Sequence, residues 1–281
     1  MNLTNITEKL TCNKWLMDRK SLYSFYTSVE NLARLRVGGF KGLLLGNSPL
    51  VSNVEHPSQD STKTEKGNVS IITISGILTK GASPEEEDFL GLTNIDAISD
   101  ALDSEASDPT TQAIVLNFAS PGGEVCGIEE LGRKIRFIDE HKVPVYGWTE
   151  KQSSSAAYWL MSQCSLIGMT PSAKVGSIGC YLLVLDMSEK YKTEGIKVQA
   201  ISSGDFKLMG HDFKPLSDKE EAYLKEDVNR QHEKFKQTIL SNRPKANVDT
   251  ALSYEGSEAL ELGLVDVVTD SLEDFLSEIE L

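Results

Sequence analysis

The chain has 281 residues and a formal net charge of −14, with 28 Lys and Arg against 42 Asp and Glu. That acidic balance argues against a sequence-independent nucleic-acid binder and against docking on anionic lipid, because both require a basic face. A hydrophobic content of 40% with 7% aromatic residues is ordinary for a soluble globular protein and excludes disorder for the bulk of the chain.

The cysteines and histidines indicate neither a disulfide framework nor a metal site. The four cysteines (Cys12, Cys126, Cys164 and Cys180) form no C-x-x-C pair, and the four histidines have no metal-ligand spacing. We therefore expect no metal and no cofactor. No stretch has the apolar run of a signal peptide or the roughly 20 apolar residues of a spanning helix, so a cytoplasmic protein without a membrane anchor is expected.

Composition and periodicity divide the chain into four parts. Apolar residues at helical spacing over 14–37 predict an N-terminal helical segment, 1–45. A polar stretch with Pro, Gly, Ser and Asn predicts a linker, 46–66. The main domain is expected at 67–270, and an acidic tail, 271–281, is predicted to be a short surface helix.

Strands and helices alternate along the main domain. β-branched and apolar runs predict strands, whereas apolar residues recurring every three or four positions predict helices. The predicted strands are 68–78, 112–118, 144–149, 165–170, 181–186 and 197–202. The predicted helices are 94–105, 127–141, one from about Ser155, 217–242 and 256–262. This alternation predicts an α/β architecture built from βαβ-type units.

The first stretch that indicates a catalytic role is Ser120-Pro121-Gly122-Gly123, directly after a predicted strand. Adjacent glycines allow backbone N–H groups to face outward, as stabilisation of an oxyanion requires. The alternative is an ordinary strand-to-helix turn, for which glycine pairs are common.

The second stretch is Ser153-Ser154-Ser155-Ala156-Ala157-Tyr158-Trp159. Its small residues allow a hydroxyl to lie at the start of a helix, where the helix dipole favours developing negative charge. The alternative is an N-capping serine followed by close helix packing.

The third stretch, Ser202-Ser203-Gly204-Asp205-Phe206-Lys207, ends in a lysine that follows a predicted strand. Burial lowers the pKa of a lysine from about 10.4 towards neutrality and makes it usable as a base. The alternative is a solvated loop lysine, which is the commoner case.

In this order and spacing, the three stretches resemble the signal-peptide-peptidase/protease IV family of serine proteases, which use a Ser–Lys dyad. The resemblance covers roughly 67–270 and also includes AKVGSIGCY (173–181) and GSEALELGLVD (256–266). It implies the fold of the Clp protease/crotonase superfamily, a twisted sheet flanked by helices. It also implies a homo-oligomer, with the nucleophile of one subunit beside the lysine of its neighbour.

The resemblance assigns a role to each matching position. The nucleophile falls on Ser155, with Ser154 and Ser153 as fallback candidates, and the general base falls on Lys207, 52 residues later. The oxyanion N–H falls on Gly123, with Gly122 shaping the turn.

Two departures from the cellular enzymes point to a branch of the family. Ser155-Ala156-Ala157-Tyr158 replaces their Ser-Gly-Gly-Tyr, and residues 208–218 replace their segment after the lysine. Both variants resemble the head maturation (prohead) proteases of tailed phages. The implied function is cleavage of scaffolding and capsid proteins inside the prohead. The alternatives are a soluble bacterial relative that degrades signal peptides or small polypeptides, and a non-proteolytic crotonase-like enzyme or inactive scaffold.

Overall fold

The computed structural model describes residues 14–17, 59–64, 67–249 and 251–279. Most of the predicted N-terminal segment (1–45) and linker (46–66) lies outside the described residues. Within the helix predicted over 14–37, residues 15–17 form a strand instead, and residues 59–64 form a strand within the predicted linker. β1 exists through pairing with β7, more than 100 residues along the chain, which local periodicity does not encode. β2 instead pairs with its sequence neighbour β3, from Thr64 opposite Gly67 to Gln59 opposite Ile72.

The described elements alternate along the main domain as predicted. The strands are β1 (Trp15–Met17), β2 (Gln59–Thr64), β3 (Gly67–Ser75), β4 (Ile77–Thr79), β5 (Leu92–Asn94), β6 (Ala113–Ala119), β7 (Gly122–Glu124), β8 (Val145–Thr149), β9 (Gln152–Ser154), β10 (Leu166–Met169), β11 (Lys174–Gly176), β12 (Ser253–Glu255) and β13 (Val267–Val268). The helices are α1 (Pro84–Leu90), α2 (Ile95–Glu105), α3 (Ile128–His141), α4 (Ala156–Met161), α5 (Ser188–Thr193), α6 (Asp218–Asn242), α7 (Gly256–Glu261) and α8 (Leu272–Glu278).

The largest sheet has six strands in the order β13-β10-β8-β6-β3-β2. Its strands pair in parallel except β2, which runs antiparallel to β3. β6 shows why the sheet is buried on both faces: Ile114, Leu116 and Phe118 face one apolar cluster, whereas Ala113 and Val115 face another. The predicted α/β architecture, a parallel sheet flanked by helices, is confirmed.

Two smaller sheets lie at the carboxyl ends of these strands. One has the order β1-β7-β4-β5 and the other the order β12-β11-β9. β6 leads into β7, β8 into β9, and β10 into β11. Because parallel neighbours end at the same edge of a sheet, these three connections converge there, at the place where open α/β sheets bind ligands.

Two predicted strands are absent from the structure. Residues 182–187 and 195–202 form no regular secondary structure, and the second segment is exposed. Its apolar residues Val198 and Ile201 are 49% and 91% exposed, because no strand within the described part of the chain pairs with the segment.

The acidic tail is helical as predicted, but it is not confined to the surface. α8 buries Phe275, whose ring stacks on Trp148 at a centroid distance of 5.0 Å. Together with Leu276 it covers the face of the large sheet opposite α2 and α3.

Candidate active site

Ser155 lies at the junction between β9 and α4, in a backbone conformation that is costly for a residue with a side chain. Its φ is 56° and its ψ is −116°. Its N–H donates to the Gly176 carbonyl oxygen at 2.7 Å, which fixes the junction. A non-glycine residue at positive φ stores about 1–3 kcal/mol of strain, and such strain clusters at functional sites.

The Ser155 hydroxyl does not cap the helix that follows it. It makes no capping bond to α4 and instead donates to the Gly179 carbonyl oxygen at 3.3 Å. The residue is fully buried. The capping interpretation is therefore wrong for this side chain, whose hydroxyl is held at a strained turn.

The backbone groups of the two fallback serines take part in strand pairing. Ser153 and Ser154 are in β9, where Ser153 pairs with Val175 and the Ser154 N–H donates to the Ser120 carbonyl oxygen at 3.1 Å. The Ser153 hydroxyl is buried and has no hydrogen-bond partner among the described residues. Neither residue has the positive φ of Ser155.

The glycine pair, Gly122 and Gly123, is held beside Ser155 by a parallel β-bridge. Ser120 forms a bridge with Ser153, and its N–H donates to the Gln152 carbonyl oxygen at 2.9 Å. The Ser120 hydroxyl accepts the Gly122 N–H at 3.2 Å. The structure thus brings Gly122 and Gly123 of β7 and the β9–Ser155 junction to one edge.

Both glycines occupy positions that no side chain could share. Gly122 has a φ of 102°, and a Cβ there would lie 2.1 Å from the Leu16 carbonyl oxygen. A Cβ on Gly123 would lie 1.9 Å from the Leu78 carbonyl oxygen. The motif is therefore more than a turn, because close approach of neighbouring backbones requires glycine at both positions.

Lys207 is not part of this arrangement within one chain. It is exposed in the irregular turn 203–210, and its N–H donates to the Gly204 carbonyl oxygen at 3.2 Å. Among the described residues its ammonium group has no hydrogen-bond or ion-pair partner. The neighbouring Phe206 ring packs on Tyr223 of α6 at 5.2 Å. Ser155 and Lys207 are therefore present but are not hydrogen-bonded to each other.

The turn at 176–179 supports the candidate nucleophile, a role that was not predicted from the sequence. Gly176 and Gly179 supply the carbonyl oxygens that accept the Ser155 N–H and hydroxyl. Ser177 also has a positive φ, 54°, and its N–H donates to the Leu252 carbonyl oxygen at 2.7 Å. The signal is the Gly-Ser-Ile-Gly sequence within AKVGSIGCY (173–181), which entered the prediction only as part of the family resemblance.

The described part of the chain contains no group of three or more His, Cys, Asp or Glu side chains arranged to hold a metal ion. Within the same ranges, no helix combines the length and the apolar character needed to cross a bilayer.

A profile of peptidase family S49 matches residues 138–279, which include Ser155, Lys207 and the supporting turn. The chain belongs to peptidase family S49. Related proteins come from both cells and phages. A Methanocaldococcus jannaschii protein assigned as a protease is 30% identical over 184 residues, which cover 64% of this chain and 58% of that protein. Capsid assembly protease C of Escherichia phage lambda is 26% identical over 235 residues, which cover 81% of this chain and 52% of that protein.

This S49 chain therefore spans little more than half the length of these two relatives. Among solved structures, the S97A mutant of the membrane-bound stomatin-specific protease 1510-N has a TM-score of 0.46 and 14% identity, with 74% of this chain and 83% of that chain covered.

Proposed function

We propose that this S49 chain is a serine endopeptidase in which Ser155 is the nucleophile and Lys207 is the general base. The observation that carries the proposal is the buried, strained Ser155, held beside Gly122 and Gly123 of β7 by the Ser120–Ser153 bridge. Strain at a strand-to-helix turn presents a nucleophilic hydroxyl in other hydrolases too. Family membership supports the same reaction class.

In the proposed reaction, neutral Lys207 accepts the Ser155 proton while the hydroxyl oxygen attacks the scissile carbonyl. The Gly123 N–H stabilises the oxyanion of the tetrahedral intermediate, a donor type worth about 3–4 kcal/mol in related reactions. Protonated Lys207 then donates its proton to the leaving amine. Water, activated by the same amine, hydrolyses the acyl-enzyme and releases Ser155.

We also propose that Lys207 comes from a neighbouring subunit. It is exposed and without a partner among the described residues, whereas Ser155 is buried. The segment before it carries unpaired apolar side chains: Ile196, Val198 and Ile201 are 47%, 49% and 91% exposed. An assembly that covers this segment would also desolvate Lys207, and desolvation lowers the pKa of a lysine.

For the natural substrate we propose scaffolding and capsid proteins inside a phage prohead. The similarity to the phage lambda capsid assembly protease supports this choice, as do the Ser-Ala-Ala-Tyr motif and the segment after Lys207. The alternative is a cellular protease that degrades signal peptides or small polypeptides, which the archaeal relative favours. A non-proteolytic crotonase-like enzyme or inactive scaffold is disfavoured, because Ser155 and Lys207 are both present.

Labelling with a fluorophosphonate probe tests the proposed nucleophile. We expect one covalent adduct per chain, mapped by mass spectrometry to Ser155 and absent from Ser155→Ala. The matched Ser154→Ala variant should keep the label. An adduct on Ser154 or Ser153 instead would move the nucleophile, and a chain that never reacts would favour the inactive scaffold.

A further inference from the structure

Strand β1 lies in the candidate active site, although it comes from the far N-terminal side of the chain. It pairs antiparallel with β7, with Leu16 opposite Gly123 and Met17 opposite Gly122. On its other side, the Trp15 N–H donates to the Tyr181 carbonyl oxygen at 3.0 Å, and the Tyr181 N–H donates back to the Trp15 carbonyl oxygen at 3.1 Å. A three-residue strand is thus clamped between two segments that flank Ser155.

The hydrogen-bond pattern fixes which way the backbone of β1 faces. Neighbouring residues of a strand point their N–H and C=O groups to opposite sides. The backbone N–H and C=O groups of Trp15 face Tyr181, so those of Leu16 face β7. Lys14, two residues before Leu16, also faces β7 and its extension, because the Val125 N–H donates to the Lys14 carbonyl oxygen at 3.1 Å. The Leu16 carbonyl group therefore points towards the Gly123 N–H, the proposed oxyanion donor.

The glycine at position 122 is explained by this approach. The Leu16 carbonyl oxygen lies 2.1 Å from the place where a Gly122 Cβ would be, and the Ser154 carbonyl oxygen lies 2.9 Å from it. A backbone can therefore pass through this narrow gap only because residue 122 has no side chain. The gap is shaped for an extended polypeptide.

The side chains of β1 are held as firmly as its backbone. Trp15, Leu16 and Met17 are 1%, 0% and 3% exposed. Lys14, directly before them, forms an ion pair with Asp227 of α6 at 2.7 Å. Addition of an extended apolar peptide to an exposed strand edge is a recurrent way of binding peptides, with the backbone supplying affinity and side-chain pockets supplying selectivity.

We infer that β1 is an intramolecular pseudosubstrate, which occupies the polypeptide cleft and holds the peptidase inactive until it is displaced. This inference rests on the proposed function of Ser155 and Gly123. Leu16 takes the place of the residue whose carbonyl group is attacked, and Trp15 and Lys14 take the two preceding places. The cleft therefore selects extended segments with large apolar side chains at the positions of Trp15 and Leu16.

The first test removes the strand from the cleft in the full chain. Leu16→Asp places a carboxylate in a fully buried apolar position. The substrate is a fluorogenic tripeptide amide carrying the side chains of residues 14–16. We expect kcat/KM and the rate of fluorophosphonate labelling to rise about tenfold or more, as the competent fraction increases. The control is Leu260→Asp on α7, whose side chain is 42% exposed; it should behave as the unmodified chain.

The second test holds the strand in place and does not depend on folding of Leu16→Asp. Lys14 lies opposite Val125, so Lys14→Cys with Val125→Cys offers a pair at disulfide distance. Cys12→Ser and Cys126→Ser remove the two thiols adjacent in sequence to this pair, while burial raises the pKa of Cys180 to about 12 and keeps it unreactive. Oxidation should lower the labelling rate of Ser155, and reduction should restore it. Matched variants that carry only one of the two introduced cysteines should show no such redox dependence.

The outcomes separate this inference from the proposed function. Equal labelling rates in Leu16→Asp, in the unmodified chain and in the oxidised cysteine pair, with the cross-link shown by mass, would overturn the pseudosubstrate inference. The proposed serine peptidase function would not be affected by that result. Absence of labelling in all three proteins would contradict the proposed peptidase function, and the pseudosubstrate inference, which rests on that function, would then be wrong as well. Faster labelling of Leu16→Asp together with slower labelling of the oxidised pair supports both.

Discussion

The Ser155 hydroxyl donates to the Gly179 carbonyl oxygen at 3.3 Å and makes no bond to the helix that it precedes. Replacing Ser155 with alanine therefore removes one long hydrogen bond and no helix cap. A hydrogen bond of this kind contributes about 1 kcal/mol. We expect Ser155→Ala to lose all turnover of a casein substrate while its thermal unfolding stays close to that of the unmodified chain. Casein turnover near the unmodified level would refute Ser155 as nucleophile.

A second substitution at the same position separates strain from chemistry. Because glycine adopts positive φ at no steric cost, Ser155→Gly should relieve the strain at φ 56°. We expect it to be inactive and more stable than Ser155→Ala by about 1 kcal/mol, measured by denaturant unfolding. Equal stability of the two variants would mean that the backbone at Ser155 relaxes and stores no strain.

The glycine pair can be tested against a glycine that lies in open space. Gly123→Ala would place a Cβ 1.9 Å from the Leu78 carbonyl oxygen, whereas a Cβ at Gly204 meets nothing within 4 Å. We expect Gly123→Ala to lose activity and stability, because β4 and β7 must separate, and Gly204→Ala to lose neither. The measurements are kcat/KM on a peptide and the midpoint of urea unfolding. A fully stable, active Gly123→Ala would show that β4 and β7 can separate to admit a Cβ and that glycine is not required at this position.

Much of this site could be predicted from the sequence, because its candidate residues follow buried parallel strands. The apolar runs of β3, β6, β8 and β10 fix those strands, and Gly123 and Ser155 come just after two of them. The strand predicted at 197–202 is absent, because a short run that contains apolar residues does not show whether a partner strand exists. β1 was not predicted, because its three residues form a strand only through pairing with β7 and Tyr181, which lie more than 100 residues away.

Lys207 must lose its proton to act as a base, and an arginine at that position stays protonated. We therefore expect Lys207→Arg to be as inactive as Lys207→Ala, with both variants folded as judged by circular dichroism. Lys142→Ala, at an exposed lysine just after α3 and outside the segment proposed to be covered on assembly, is the control and should keep activity. An active Lys207→Arg would assign the lysine a structural or electrostatic role only.

If the dyad is shared between subunits, two inactive variants should complement each other. Co-expressed Ser155→Ala and Lys207→Ala chains would form some interfaces with an intact Ser155 from one chain and an intact Lys207 from the other. We expect partial recovery of peptidase activity in particles shown by native mass spectrometry to be mixed. Mixed particles that remain inactive would place a complete dyad within each subunit.

The final prediction concerns Glu220, which anchors the segment after Lys207. Lys214 donates to both oxygens of the Glu220 carboxylate at 2.8 Å, and the N–H and hydroxyl of Ser217 donate to one of them at 2.9 Å. These hydrogen bonds lower the pKa of Glu220 from 4.5 to about 2. The same side chains line a cavity of about 560 Å³ with residues 202–205 and Leu208 of the turn that carries Lys207.

Since the folded state holds Glu220 as a carboxylate more strongly than the unfolded chain does, its contribution to stability is complete above pH 4.5. That contribution fades as the pH falls from 4.5 to about 2, where the folded state also becomes protonated. We expect Glu220→Gln to lower stability at pH 7 and to remove part of the acid sensitivity between pH 4.5 and 2, measured as urea midpoints across that range. Glu221→Gln, on the exposed side of the same helical turn, should leave the pH profile unchanged. A Glu220→Gln profile parallel to that of the unmodified chain would show that the carboxylate is not stabilised by folding.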